Sequence, residues 1–287
     1  MRWRRTDSDH FQRRGGSGGF GVPAMAGGGA GIIGVIVLLA TVLLGGGGGG
    51  GGLSGFNDVL GEQQDPNAPP TEEEAFVEFL AEDTQAVWAD IFAQEGRQYS
   101  YATVNTFAGQ VQTGCGGATS AVGPFYCPAD SQVYLDLDFF DELSSRFDAP
   151  GDFAQAYVVA HEIGHHVQNL VGTSAEVRSR EQAARSEEEA NEWSVRLELQ
   201  ADCYAGVWAN TVYQRGQEDP QGDVGLEEGD VEEGLAAAEA VGDDRIQSQA
   251  GVDVNPETWT HGSSAQRRQW FTTGFESGDW TTCDTFS

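Results

Sequence analysis

The stretch His161-Glu162-Ile163-Gly164-His165 decides how this chain is read. On a helix, residues four apart sit one turn above each other, so both imidazoles point the same way. Together they can grip one Zn²⁺ at ~2.0–2.1 Å. Glu162 is offset by about 100°, which sets its carboxylate beside the ion rather than on it. A general base must sit there to take a proton from a metal-activated water. The flanking sequence reads as a helix over about 152–170, because Phe153, Ala156, Tyr157, Ala160, Ile163, Gly164 and Val167 form a stripe at helical spacing. His166 lies roughly 100° round from His165 and points away from this face.

A catalytic zinc keeps three protein ligands and one open position, so a third ligand is required. The longer motif that ends in a downstream histidine is ruled out, because Gln168 stands where it needs glycine and Val171 where it needs histidine. The remaining common choice is a glutamate on a second helix. Glu198-Leu199-Gln200-Ala201-Asp202, in a helical pattern over about 187–214, supplies one. Glu198 and Asp202 are four apart and share a face. Glu198 is the expected metal ligand. Asp202 is expected to accept the outer N–H of a ligand histidine, His161, which fixes the ring and its tautomer. The small Ala201 lets the two helices approach.

Outward from this centre the chain changes character. Residues 1–23 are rich in Arg and Gly, lack apolar periodicity and are expected to form a disordered basic cytoplasmic tail. Residues 24–44 form an uncharged apolar run of about the length that spans a bilayer. Arg2, Arg4, Arg5, Arg13 and Arg14 precede it, so an uncleaved single-pass anchor in the cytoplasmic membrane is expected, with the amino terminus inside and the rest outside. A cleaved signal peptide is the rival, although no clear cleavage site follows the run. Residues 45–70 read as a Gly-rich, polar linker containing eight successive glycines, Gly45 to Gly52. Residues 71–287 are the expected folded domain. It opens on the capping box Thr71-Glu72-Glu73-Glu74 and an amphipathic helix carrying Phe76, Phe79, Leu80, Val87, Trp88 and Phe92. Tyr101 to Phe107 and Gln132 to Leu137 alternate as strands do. Val133 to Leu137 reads equally as a core strand or as a sheet edge that takes a peptide as an extra strand. Further helical patterns run over about 229–248 and 263–276.

Formal net charge is −30, and all 15 basic residues are Arg. Asp7 and Asp9 are the only acids before Leu53, so from there on 10 Arg face 43 acids. Such a surface repels phosphate backbones and argues against nucleic acid as a partner. The four cysteines, Cys115, Cys127, Cys203 and Cys283, show no C-x-x-C spacing, which disfavours a cysteine metal site. Outside the membrane disulfides are permitted, and the preferred pairing is Cys115 with Cys127 and Cys203 with Cys283, one of three connectivities.

The His161–His166 segment, Gly123-Pro124-Phe125-Tyr126-Cys127-Pro128, Val133-Tyr134-Leu135-Asp136-Leu137, Glu198 to Trp208, Thr260-His261-Gly262-Ser263-Ser264 and the opening Met1-Arg2-Trp3 together resemble the YpfJ-like neutral zinc metallopeptidases, a gluzincin-type group. The resemblance covers most of 95–285. It implies an α+β, mostly helical zincin-like domain with a small β-sheet behind one transmembrane helix, one Zn²⁺ as cofactor, and a peptide or protein substrate. The expected chemistry is peptide-bond hydrolysis with Glu162 as general base and His261 as donor to the transition-state oxyanion. A structural histidine at a helix entry remains open for His261, and Arg267 is an alternative donor. The rival reading of the whole is a catalytically silent, zinc-stabilised scaffold that binds an envelope partner.

Overall fold

The computed structural model describes residues 1–14, the strand pair Ile33–Gly34 and residues 69–287. A small mixed sheet and eight α-helices carry these residues. The sheet contains β1 (Phe11–Arg14), β2 (Ile33–Gly34), β3 (Thr103–Phe107), β6 (Phe125–Cys127) and β7 (Gln132–Asp136), in the order β1-β3-β7-β6-β2. β1, β3 and β7 are parallel, and β6 is antiparallel to β7 and to β2. A separate hairpin, β4 (Gln110–Thr113) with β5 (Gly116–Thr119), fills the loop between β3 and β6.

The helices are α1 (Glu72–Gln94), α2 (Asp138–Ser145), α3 (Asp152–Val171), α4 (Thr173–Ala183), α5 (Glu187–Glu218), α6 (Asp230–Ala240), α7 (Asp243–Gln249) and α8 (Ser264–Ser277). Thr71 caps α1: its hydroxyl accepts from Glu74 N–H while the Glu74 carboxylate accepts from Thr71 N–H. Ser263 and Gln266 close α8 in the same way. The apolar stripe of α3 is buried along its length, and α3 packs between α1, α5 and α6. Phe153 stacks on Trp208 of α5 at 5.8 Å, and Trp88 of α1 meets Tyr204 edge-on at 4.9 Å. The sheet separates this core from a smaller one, in which Phe107, Phe125 and Tyr134 pack on Val111 and Ala118 of the hairpin.

Several expectations change here. The pattern over 229–248 is two helices, broken at Val241-Gly242, because Gly242 lies against the backbone of Ser264. β7 is flanked by β3 and β6, so Val133–Leu137 is no sheet edge. Residues 1–14 are not a disordered tail. Met1 is buried, and its amino group lies 2.6 Å from Asp152 and 3.3 Å from Asp230. Trp3 sits on Phe76 and Phe79, and β1 pairs with β3. Local periodicity carries no sign of this, because every partner is more than 60 residues away. The apolar run 24–44 lies outside the described residues except for Ile33–Gly34, which form a strand. Among the described residues no helix is long and apolar enough to cross a membrane.

Both disulfides, Cys115–Cys127 and Cys203–Cys283, are formed. They close loops of different size, with sequence separations of 12 and 80. Loop-closure entropy assigns them about 3 and about 4.5 kcal/mol. Replacing Cys203 and Cys283 with Ala is therefore expected to lower unfolding free energy in denaturant more than replacing Cys115 and Cys127. An equal or reversed loss refutes this account.

Candidate metal centre

α3 and α5 cross with almost nothing between them. A Cβ built on Gly164 would stand 3.1 Å from the Ala201 carbonyl oxygen, tighter than most side chains approach, so glycine here favours the close approach of the two backbones. That approach places Glu198, on α5, opposite His161 and His165, on α3. Glu198 Oε2 lies 3.2 Å from His161 Nε2, and Oε1 lies 3.3 Å from His165 Nε2. The three ligand atoms fall within 4.8 Å of one another, and all three residues are buried. His161 and His165 meet edge-on at 4.7 Å between ring centroids.

Each imidazole is held from behind. His161 Nδ1 donates to Asp202 Oδ1 at 2.8 Å. His165 Nδ1 donates to Gln168 Oε1 at 2.8 Å. The amide orientation of Gln168 is set by its Nε2, which donates to Leu197 O at 2.6 Å and to Gln200 Oε1 at 3.2 Å. Both Nε2 atoms are thereby turned toward Glu198, the arrangement a bound ion requires.

Asp202 is the hub of the second layer. It accepts from the Tyr157 hydroxyl at 2.5 Å and from Arg267 Nε and Nη2 at 2.8 and 2.9 Å, as well as from His161. Burial alone would raise the Asp202 carboxyl, but Arg267 and then His161 hold it below the usual range. Burial likewise opposes ionisation of Glu198, yet His165 and His161 hold it well below its ordinary value. Arg267, whose guanidinium is committed to Asp202 and Val241 O, serves this scaffold rather than a substrate.

The donor set fits a divalent cation. Both carboxylate oxygens of Glu162 are buried without a side-chain hydrogen-bond partner, and His165 Nε2 meets only the Glu198 carboxylate, at 3.3 Å. Such orphans are costly unless something else meets them. One divalent ion would also bring the charges of Glu162, Glu198, Asp202 and Arg267 to zero. Two imidazoles and one carboxylate are a donor set typical of catalytic zinc, which leaves one position open.

His261 lies at the edge of this centre, close enough to Glu198 for their charges to act on each other. It precedes α8 and is held by Asp243 at the start of α7. Asp243 Oδ2 accepts backbone N–H groups from Thr260, His261 and Gly262 at 2.9, 2.7 and 3.0 Å, and Oδ1 lies 3.2 Å from His261 Nδ1. Gly262 turns the chain at φ +92°, a left-handed conformation that favours glycine. Burial alone would lower the His261 ring, but the bond to Asp243 raises it.

The structure thus brings His161, Glu162, His165, Glu198 and Asp202 together, with His261 beside them. Cys115–Cys127 stands apart, whereas Cys203 follows Asp202 directly on α5. His166 lies outside the centre, with Nε2 donating to Ser100 O at 2.6 Å, and burial pushes its ring down to about 4. Asp243, Gln168 and the Tyr157 hydroxyl escape a reading of the sequence. Acids are too numerous for Asp243 to stand out, Gln168 has no metal-motif signature, and Tyr157 reads as part of an apolar stripe.

Comparison with known proteins gives a consistent result. The family model described as "Putative neutral zinc metallopeptidase" matches residues 1–286. Uncharacterized protein YpfJ of Escherichia coli (strain K12) is 46% identical over 230 residues, 79% of this chain and 77% of the relative. Uncharacterized protein Rv2575 of Mycobacterium tuberculosis (strain ATCC 25618 / H37Rv) is 50% identical over 206 residues, 70% of this chain and 67% of the relative. No solved structure matches significantly. With the whole-length match and a centre built from His161, His165 and Glu198, the chain belongs to this neutral zinc metallopeptidase family.

Proposed function

We propose that this protein is a zinc-dependent peptidase that hydrolyses peptide bonds with one ion held by His161, His165 and Glu198. The observation that carries the reading is the convergence of His161 Nε2 and His165 Nε2 on the two oxygens of Glu198, at 3.2 and 3.3 Å, with the buried Glu162 carboxylate close enough to feel both rings. A scaffold site would not need Glu162 there. When bound, zinc polarises a carbonyl oxygen and brings the pKa of a water near 7. Glu162 receives the proton from the attacking water on its carboxylate and later delivers it to the leaving amine. His261, positioned by Asp243, donates toward the oxygen that gains negative charge. Asp202, Arg267 and Tyr157 keep His161 in place, and Gln168 keeps His165 in place.

The two disulfides support an oxidising, extracytoplasmic compartment for the domain.

Glu198→Ala is expected to leave the purified protein without stoichiometric zinc, and Asp202→Ala to weaken zinc retention against a chelator by 10- to 100-fold. Full zinc content in Glu198→Ala would refute the ligand assignment. Glu162→Ala is expected to keep zinc and lose at least about 100-fold in peptide cleavage, and His261→Ala to lose a comparable factor while keeping zinc. Cleavage at the wild-type rate by Glu162→Ala would instead favour a different base.

The site also sets a pH dependence. In the metal-free protein, burial alone would lower His161, but Asp202 raises it to about 9 from an ordinary 6.5. Stability from that proton is complete below pH 6.5 and is lost as pH rises through 9. Burial pushes Glu162 up to about 7 from 4.5, against the pull of His165 and His161, so its folded form also binds an extra proton between these values. The melting temperature of chelator-stripped protein is therefore expected to fall from pH 6.5 to 9. Zinc-loaded protein should hold or gain over the same range, because the ion competes with those protons. Parallel curves with and without zinc would contradict this.

A further inference from the structure

The first fourteen residues make more contacts than a tail needs. Met1 is part of the main core, and its amino group meets Asp152 at the first turn of α3. The Arg2 backbone exchanges two hydrogen bonds with Gly225, and its guanidinium donates to Pro220 O and Gly222 O at 2.8 Å each. Trp3 lies 5.1 Å from Phe76 and 5.9 Å from Phe79 between ring centroids. Ser8 N–H and hydroxyl donate to Glu78 and Glu82, both at 2.8 Å. His10 stacks on Tyr101 at 4.5 Å. Phe11–Arg14 then extends the sheet beside β3, where Arg14 donates to Asn105 and Gln132.

The receiving surface is built to match. α1 presents Glu72, Glu74, Glu78 and Glu82 along the path of the arm. Arg5 pairs with Glu72, and Arg13 Nε lies 3.4 Å from Glu74. A strongly acidic domain thus holds a basic segment of its own chain, by charge at the rim and by Met1 and Trp3 beneath. The carboxylate cluster Asp152, Asp230 and Glu233 has the spacing of a cation site. The Met1 amino group already meets Asp152 and Asp230, so the cluster calls for no further metal.

We infer that residues 1–14 are a docking arm that binds the acidic face of α1, β3 and the start of α3 in the same chain, and so share a compartment with the metal site. A parallel β1–β3 pair cannot form across a bilayer. The arrangement therefore puts residues 1–14 and the domain on the same side of any membrane. This inference does not depend on peptidase activity.

The described residues contain no free cysteine, so introduced thiols report alone. In the full-length protein in intact cells, S8C combined with E78C is expected to give a cross-link within one chain on treatment with a short bis-maleimide. Co-expression of heavy- and light-isotope chains distinguishes this from a cross-link between copies. A cross-link between copies, or none, overturns the inference. Separately, D9C in the arm and E95C after α1, both at exposed positions, are expected to respond alike to a membrane-impermeant maleimide. Labelling of one without the other overturns it. A melting temperature for W3A unchanged from wild type would also overturn it, because loss of a docked Trp is expected to lower it by more than about 5 °C.

Discussion

Removing a carboxylate from water costs several kcal/mol unless charge and hydrogen bonds replace what the solvent supplied. Asp202 meets that demand fully, with a bidentate Arg267, the Tyr157 hydroxyl and His161 all directed at its two oxygens. These partners come from α3 and α8, while Asp202 belongs to α5. One anion thus sets the relative position of the three helices that surround the metal centre. Stripping any partner away would leave a buried charge exposed to its neighbours, so the cluster holds as a unit. His161 inherits its orientation from this cluster, and through it the first metal ligand is placed.

The second ligand depends on a different chain of contacts. His165 is set by Gln168, Gln168 by Gln200 and Leu197 O, and Gln200 donates to the carbonyl of Cys283 at 2.9 Å. The disulfide Cys203–Cys283 fixes that carbonyl by binding the carboxyl-terminal segment to α5. The tail is therefore part of the support for a metal ligand. Thr285, which donates to Arg196 O, and Phe286, stacked on Trp193, extend the same attachment along α5.

Much of this was legible from the chain, for a physical reason. His161, Glu162 and His165 are related by one helical turn, and Glu198 and Asp202 by another, so periodicity alone assigns them to faces. The capping box at Thr71 is equally local. What escaped depends on distant partners. Asp243 acts on His261 from 18 residues away, and Gln168 acts through Leu197 and Gln200. Met1, Trp3 and Phe11 are too widely spaced to form a stripe, and their contacts lie across the sequence, so a basic, glycine-flanked segment resembled a loose tail. The split between α6 and α7 is set by close contact with Ser264 rather than by any breaker beyond a single glycine.

The contact between Gly164 and Ala201 carries a lesson for how this sequence can drift. A methyl group at 164 would press on the carbonyl of residue 201, at the crossing of α3 and α5 that sets Glu198 opposite both imidazoles. No substitution at 201 relieves that pressure, because the obstacle is backbone. Position 164 therefore takes a side chain only if one helix shifts against the other by a few tenths of an ångström, and that shift is felt first in the distances from Glu198 to the two imidazoles.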